Sequence, residues 1–307
     1  MKPEPPNPWT RFWFTPAPVE ALAWVRGGLC IVTALYFVSV FSDVAFWYAQ
    51  DAPASTTNLS EFFRTAELTS DARWMVSPLY WFDALTRGSS WSESVAVYRA
   101  YLVIGIILSV VAAIAGPISK RSNGWVAWCL GGSLPTLLLW IWFVGWANRV
   151  VLLAGICEPI LSVSLAALAI APAMSATPSW RVTLAKRLLE IQTTLFAFVT
   201  TALMLFGNVW WNGTGAYALA APEEDRFLSV AGTFFENPVI YEGTTAFLLI
   251  GLPLAVWLVR RESLRALGLG VWWVWCATVA LLSAEMIYAA TLGVLILSVE
   301  KRSHTSE

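Results

Sequence analysis

The sequence predicts an all-α fold: a polytopic membrane helix bundle of about seven transmembrane helices, with interfacial amphipathic helices in the outer loops. Three observations carry this. The 307-residue chain is 58% hydrophobic and only 13% charged. It holds 19 tryptophans, more than one ordinary water-soluble core can bury. Its apolar residues are gathered into runs long enough to cross a hydrocarbon layer of about 30 Å, which takes roughly 20 helical residues.

In chain order, residues 1–16 form a proline- and aromatic-rich leader, part of "MKPEPPNPWTRFWFTPAP". Proline lacks an amide donor and restricts the residue before it, so the leader cannot be one continuous helix. Trp9, Phe12, Trp13 and Phe14 suit the headgroup interface, on the cytoplasmic surface. Residues 17–299 form a single transmembrane domain with apolar runs at 17–41, 95–116, 125–145, 148–171, 184–206, 239–259 and 268–297, and residues 300–307 are a polar tail. The first run is no cleaved signal peptide, because it carries Glu20 and Arg26 and has no small-residue cleavage site. Within the connection 42–94, "RWMVSPLYWFDAL" is aromatic, amphipathic and too short to span, which predicts an interfacial or re-entrant helix. "GAYALAAPEEDRFLSVAGTFFENPV" reads as a second cap on the outer face. No internal repeat, coiled-coil heptad or phosphate-cradling glycine loop is present.

A net charge of −1 points to no nucleic-acid partner. The distribution of charge orients the chain. Lys2 and Arg11, Lys120 and Arg121, Arg181, Lys186 and Arg187, and Arg260, Arg261 and Arg265 lie in short segments that the positive-inside rule makes cytoplasmic. The acidic connections 42–94 and 207–238 suit the outer face. The chain is therefore expected as a multi-pass protein of the cell (inner) membrane, with its N-terminus cytoplasmic and its C-terminus outside. Lys301 and Arg302 in the tail pull the other way, and an eighth span would reverse the C-terminus.

Cys30, Cys129, Cys157 and Cys276 all fall in expected spans without metal-ligand spacing, and His304 is the only histidine, so no metal site and no histidine-based triad is expected. Five ionisable residues at membrane depth are the first candidates for function. At about 1.5 Å per residue, Arg26 lies ~14 Å from the cytoplasmic end of its span and Glu190 ~9 Å from that end of its own, while Arg99 and Glu285 fall toward the outer half. These depths permit the pairs Arg26–Glu190 and Arg99–Glu285, as buried charges seek partners. Glu158 is left over near mid-membrane, where an ionised carboxylate costs several kcal/mol unless paired or protonated. Pro159 follows it and is expected to free the carbonyl of Gly155 by kinking the helix, giving a turn fit for a headgroup, a proton or a substrate group.

A second candidate is the turn in "FGNVWWNGTGAYAL". Trp210 and Trp211 stand where a span should meet the headgroups, and Asn212 and Gly213 open a tight turn. It reads as an interface anchor and helix stop, or as the lip of a lipid-accessible pocket.

The order "EALAWVRGGLCIVTALYF", "WMVSPLYWF" and then "RLLEIQTTLFAFVTTALMLFGNVWWNGTGAYAL" resembles the horizontally transferred transmembrane (HTTM) domain family, bacterial relatives of the membrane part of vitamin K-dependent gamma-carboxylase. The resemblance covers roughly residues 10–298 and is most specific at the R-L-L-x-I-Q helix and the W-x-N-G-T that follows. In carboxylase-like members that helix ends with a lysine implicated as the base that starts the vitamin K chemistry. Here the corresponding positions are Met204 or Leu205, and no lysine occurs between Lys186 and Lys301. A general base must titrate, and neither thioether nor alkyl does. The resemblance therefore implies a non-carboxylating membrane subunit or scaffold, with the bilayer and another membrane protein or a hydrophobic ligand as partners. The alternative is a membrane enzyme acting on a hydrophobic small molecule or translocated peptide through buried carboxylates. No sequence feature specifies a cofactor, and transport lacks the expected inverted repeats.

Overall fold

The computed structural model describes residues 7–48, 52–55, 58, 61, 77–86, 94–121, 131, 133–150, 155–175, 177–220 and 237–299. Cys129, the tail 300–307 and most of the acidic residues of the two outer connections lie outside them. Among the described residues the chain is all-helical, with one isolated antiparallel bridge between Ala17 and Ser179. Five helical segments are long and apolar enough to cross a membrane: Val19–Val40, Val95–Ala115, Trp180–Phe206, Pro238–Val259 and Glu262–Ser283. The chain divides into two compact units, Met1–Ala185 and Lys186–Glu307.

The first unit opens with α1 (Pro8–Phe14), which begins where the Asn7 side chain accepts from Trp9 N at 3.1 Å and Pro8 occupies the first turn, where its missing donor costs nothing. A 3-10 turn (Val19–Leu22) leads into α2 (Ala23–Val40), and α3 (Val44–Trp47) follows. Then come α4 (Pro78–Leu85), α5 (Val95–Arg121), α6 (Leu134–Arg149) and α7 (Cys157–Ile170). α2 packs on α5, and α6 on both α5 and α7. Small residues let these surfaces approach. A Cβ on Gly105 would lie 2.7 Å from the Phe37 ring, and one on Gly145 would lie 2.6 Å from Pro78 Cδ, seating the start of α4 against α6.

One expected span changes here, while the start of another, 125–145, lies outside the described residues. The run 148–171 is not one helix: α6 ends at Arg149 and α7 starts at Cys157. Their 16 and 14 residues give about 24 and 21 Å of helix, short of a 30 Å hydrocarbon layer. Hydropathy could not see the break, because the residues bridging it are themselves apolar. Pro159 consequently falls in the first turn of α7, where no intrahelical bond is lost, and the expected mid-helix kink is absent.

α8 (Trp180–Phe206) begins in the first unit and continues into the second, followed by α9 (Asn208–Trp211) and α10 (Gly215–Ala220). α11 (Pro238–Val259), capped by the Asn237 side chain on Val239 N at 3.0 Å, packs on α12 (Arg265–Ser283) so closely that a Cβ on Gly268 would lie 2.6 Å from Val259 N. The expected single run 268–297 is broken at Ala284, whose φ is +56°. α13 (Met286–Leu295) and a last 3-10 turn (Ile296–Ser298) fold back along α12. Adjacent indoles hold this return: Trp272 Nε1 donates to Leu292 O at 2.8 Å and Trp273 Nε1 to Gly293 O at 2.9 Å. Arg265 Nη1 donates to Val299 O at 3.0 Å, which sets Val299 beside the start of α12.

Hydroxyl side chains in the helices bond mostly to their own backbone. Thr33, Ser109, Ser164, Thr193, Thr201, Thr278 and Thr291 each donate to the carbonyl four residues earlier, at 2.6–2.8 Å.

Candidate functional site

Two deeply buried charges of the first unit stand on either side of the α6–α7 connection. Arg149, 1% exposed, is in the last turn of α6; Glu158, 7% exposed, is in the first turn of α7. Each sits at the helix end whose partial charge favours it, a cation by free carbonyls and an anion by free amides. Burying an ion still costs several kcal/mol, so further partners are needed.

For Arg149 the partners are phenols. Its Nε and Nη2 donate to the Tyr98 hydroxyl at 3.2 and 2.8 Å. The guanidinium carbon lies 5.4, 5.7 and 5.2 Å from the ring centroids of Tyr48, Tyr80 and Tyr98. Each desolvated cation–π contact contributes on the order of 2 kcal/mol, so three together match the scale of the desolvation cost. Among the described residues no carboxylate pairs with Arg149, and its Nη1 has no hydrogen-bond partner.

For Glu158 the partner is Tyr36 of α2, whose hydroxyl donates to Oε1 at 2.9 Å; Oε2 is buried without a partner. Tyr36 is locked edge-to-face against Phe37 and Phe143, at centroid separations of 5.9 and 5.4 Å. Trp146 lies 5.3 Å from Tyr48, and its buried Nε1 has no partner. Burial pushes the Tyr48 phenol above its ordinary pKa, Arg149 draws it down and Glu158 pushes it up, so both charges are felt at one hydroxyl. The arrangement presents one unused guanidinium donor and one unused carboxylate oxygen inside an aromatic shell. Gly155, next to the start of α7, stands close to Oε2: a Cβ there would lie 3.7 Å from it.

The other charged candidates have separate partners. Arg26 bonds to backbone at the end of α7, with Nη1 to Pro172 O at 2.8 Å and Nη2 to Ala171 O at 2.8 Å and Leu168 O at 3.4 Å. Glu190 pairs with Arg187 at 2.7 Å and stands 3.8 Å from Arg260. Arg26 and Glu190, expected as a pair, lie in different units, and each has partners within its own; depth arithmetic counts side-chain charges and overlooks the helix-end carbonyls that Arg26 meets. Arg99 is exposed and lies over the Phe41 ring at 5.5 Å. Glu285 is the exposed residue that opens α13, its carbonyl accepting from Ala289 N at 3.0 Å. The two, expected as a pair from their depth, belong to different units.

The tryptophan turn is built into the second unit. Gly213 has φ +74°, a left-handed conformation that favours glycine, and Gly215 lies flat on the Trp210 ring, where a Cβ would come within 2.5 Å. Buried Thr245 of α11 donates to Gly213 O at 2.8 Å and accepts from Ala216 N at 2.9 Å, and Trp211 Nε1 donates to Leu205 O at 2.6 Å. Asn212 is exposed, with its amide donating to Asn208 O. These contacts are those of a helix stop. Met204 and Leu205, at the end of α8, present no titratable group. Among the described residues no cluster of histidine, cysteine and carboxylate side chains could hold a metal, and Cys30, Cys157 and Cys276 are buried and in no disulfide.

Among the described residues, fold and site together are those of an all-helical chain with five helices long and apolar enough to cross a membrane and with Arg149 and Glu158 buried in its first unit. No family model, curated protein or solved structure matches the chain.

Proposed function

We propose that this chain is an integral membrane protein of the HTTM class that has kept a helical scaffold without the carboxylase chemistry and serves as a non-carboxylating binding subunit of the inner membrane. The observation that supports this most is the end of α8, where Met204 and Leu205 stand in place of a base and the turn beyond is taken up by structural bonds to Thr245. The N-terminus is cytoplasmic in this reading. The return of α13 to the level of Arg265 favours a cytoplasmic C-terminus too, in place of the outer one. The test is gentle native purification followed by mass spectrometry of co-purifying proteins and lipids, together with an assay of glutamyl-peptide carboxylation using reduced vitamin K. A stoichiometric membrane partner or ligand without carboxylated product is expected; robust carboxylation by a preparation free of other carboxylases would overturn the reading.

A second reading, an enzyme using a buried carboxylate on a hydrophobic small molecule or translocated peptide, draws on the free Oε2 of Glu158. It requires turnover of the co-purifying molecule that Glu158→Gln abolishes at unchanged protein abundance.

A further inference from the structure

We infer that the Arg149–Glu158 centre binds the zwitterionic head of an amphiphile: an anionic oxygen on Arg149 Nη1 and a primary ammonium on Glu158 Oε2, the chemistry of phosphoethanolamine. The inference rests on reading the protein as a membrane-embedded binding subunit and names what that subunit binds.

The argument is one of complementarity. Unpartnered buried polar atoms are rare in native proteins, and here Arg149 Nη1, Trp146 Nε1 and Glu158 Oε2 are all of that kind, with Tyr48 between Arg149 and Trp146 and Tyr36 between Glu158 and Phe143. Arginine has only donors to offer, so whatever meets Nη1 must accept; a carboxylate oxygen accepts, so what suits Oε2 is a donor. A simple anion or a simple amine would satisfy one and leave the other buried. The two charges sum to zero, which suits a ligand that is itself neutral overall. Tyr48, within the field of both charges, offers a ring face as further support for an ammonium.

The position also suits a lipid. Glu158 lies at the end of a helix, two residues after Ile156, which is apolar and 68% exposed, and three after Gly155, which is exposed and without a side chain; buried Cys157 stands between. Tyr36 and Tyr98 come from the ends of α2 and α5 nearest the acidic connection 42–94, and Tyr48 and Tyr80 from that connection itself. The centre thus lies at the end of the first unit where headgroups would meet it, with Ile156 available to acyl chains.

The test uses the full chain purified in detergent, with thermal stabilisation and native mass spectrometry read against short-chain phosphatidylethanolamine, phosphatidylcholine and phosphatidylglycerol, and against free phosphoethanolamine. Phosphatidylethanolamine should bind about tenfold more tightly than phosphatidylglycerol, the effect of one charge-assisted hydrogen bond. Phosphatidylcholine, whose quaternary nitrogen cannot donate, should also fall behind. In Glu158→Gln the preference for ethanolamine over glycerol should vanish. A response to phosphatidylethanolamine without one to free phosphoethanolamine identifies the membrane lipid as the source; a response to the free compound alone identifies a soluble zwitterion. If the folded wild-type protein responds to none of these ligands, or to all three lipids equally, the inference is overturned, and water fills the centre. This ranking needs no variant, so misfolding of Glu158→Gln leaves it decisive. Carboxylation would sink the functional reading without altering the ranking.

Discussion

Arg26 closes the end of helix α7 through Ala171: Nη2 donates to the Ala171 carbonyl at 2.8 Å, while Nη1 takes Pro172 O at the same distance. The last carbonyls of a helix have no partner of their own, and here a guanidinium from α2 supplies one. Arg26→Met should therefore lower stability in detergent by about 2–5 kcal/mol, the scale for removing one side of a buried charged contact. The melting temperature measures it. Combined reversal of Arg26 and Glu190 should restore nothing; recovery of protein abundance in the double reversal would show that those two residues are paired after all.

Tyr36→Phe removes the donor to Glu158 Oε1 and leaves the carboxylate with no hydrogen bond, at a cost of about 1–3 kcal/mol. In a double-mutant cycle with Glu158→Gln the two changes should couple by at least ~0.5 kcal/mol, as residues in one network do. Strict additivity of the two melting-temperature shifts rejects the contact.

At Arg149 the shape of the cation matters as much as its charge. Lysine keeps the charge but cannot hold Tyr98 through two nitrogens while stacking among three rings. Arg149→Lys should be nearly as destabilising as Arg149→Met, both by roughly 3–5 kcal/mol. Near wild-type melting of the lysine variant would mean that charge alone holds the site.

For topology, a reporter active only outside the cytoplasm should be active when fused near Ser89 and inactive when fused near Ser122. Fused after Val299 it should be inactive as well, since Val299 lies beside Arg265. An active reporter at Val299 with an inactive one near Arg265 would leave the end of α13 on the outer face, contrary to its return along α12 to Arg265.

The long helices were legible because lipid demands unbroken apolar runs, and α2, α5, α8 and α11 fall close to the expected bounds. Breaks were not. Val150–Ile156 is apolar throughout and Leu281–Ile287 carries only Ser283 and Glu285 among apolar residues, so a hydropathy window runs through both interruptions, even though Gly155 ahead of Pro159 is a helix-start signal. Glu158 stood out as an acid in apolar surroundings. Its counterpart Arg149 was overlooked, although it is the one basic residue between Arg121 and Arg181. Tyr36, Tyr48 and Tyr98 carried no signal at all, because a tyrosine that solvates a buried charge looks in sequence like any interfacial aromatic. What reveals them is the convergence of α2, the acidic connection and α5 on the end of α6.

The hydroxyls that bond to their own helix change how greasy these segments are. Hydropathy scales charge every serine and threonine for a lost bond to water, yet Thr33, Ser109, Thr193, Thr201 and Thr291 each keep a bond within the segment. The insertion machinery therefore receives segments more soluble in lipid than their composition states, α8 above all, with a threonine at four positions between Thr193 and Thr201. The same internal bonding leaves those hydroxyls little to offer a passing ion or solute, so their abundance is no sign of an aqueous path.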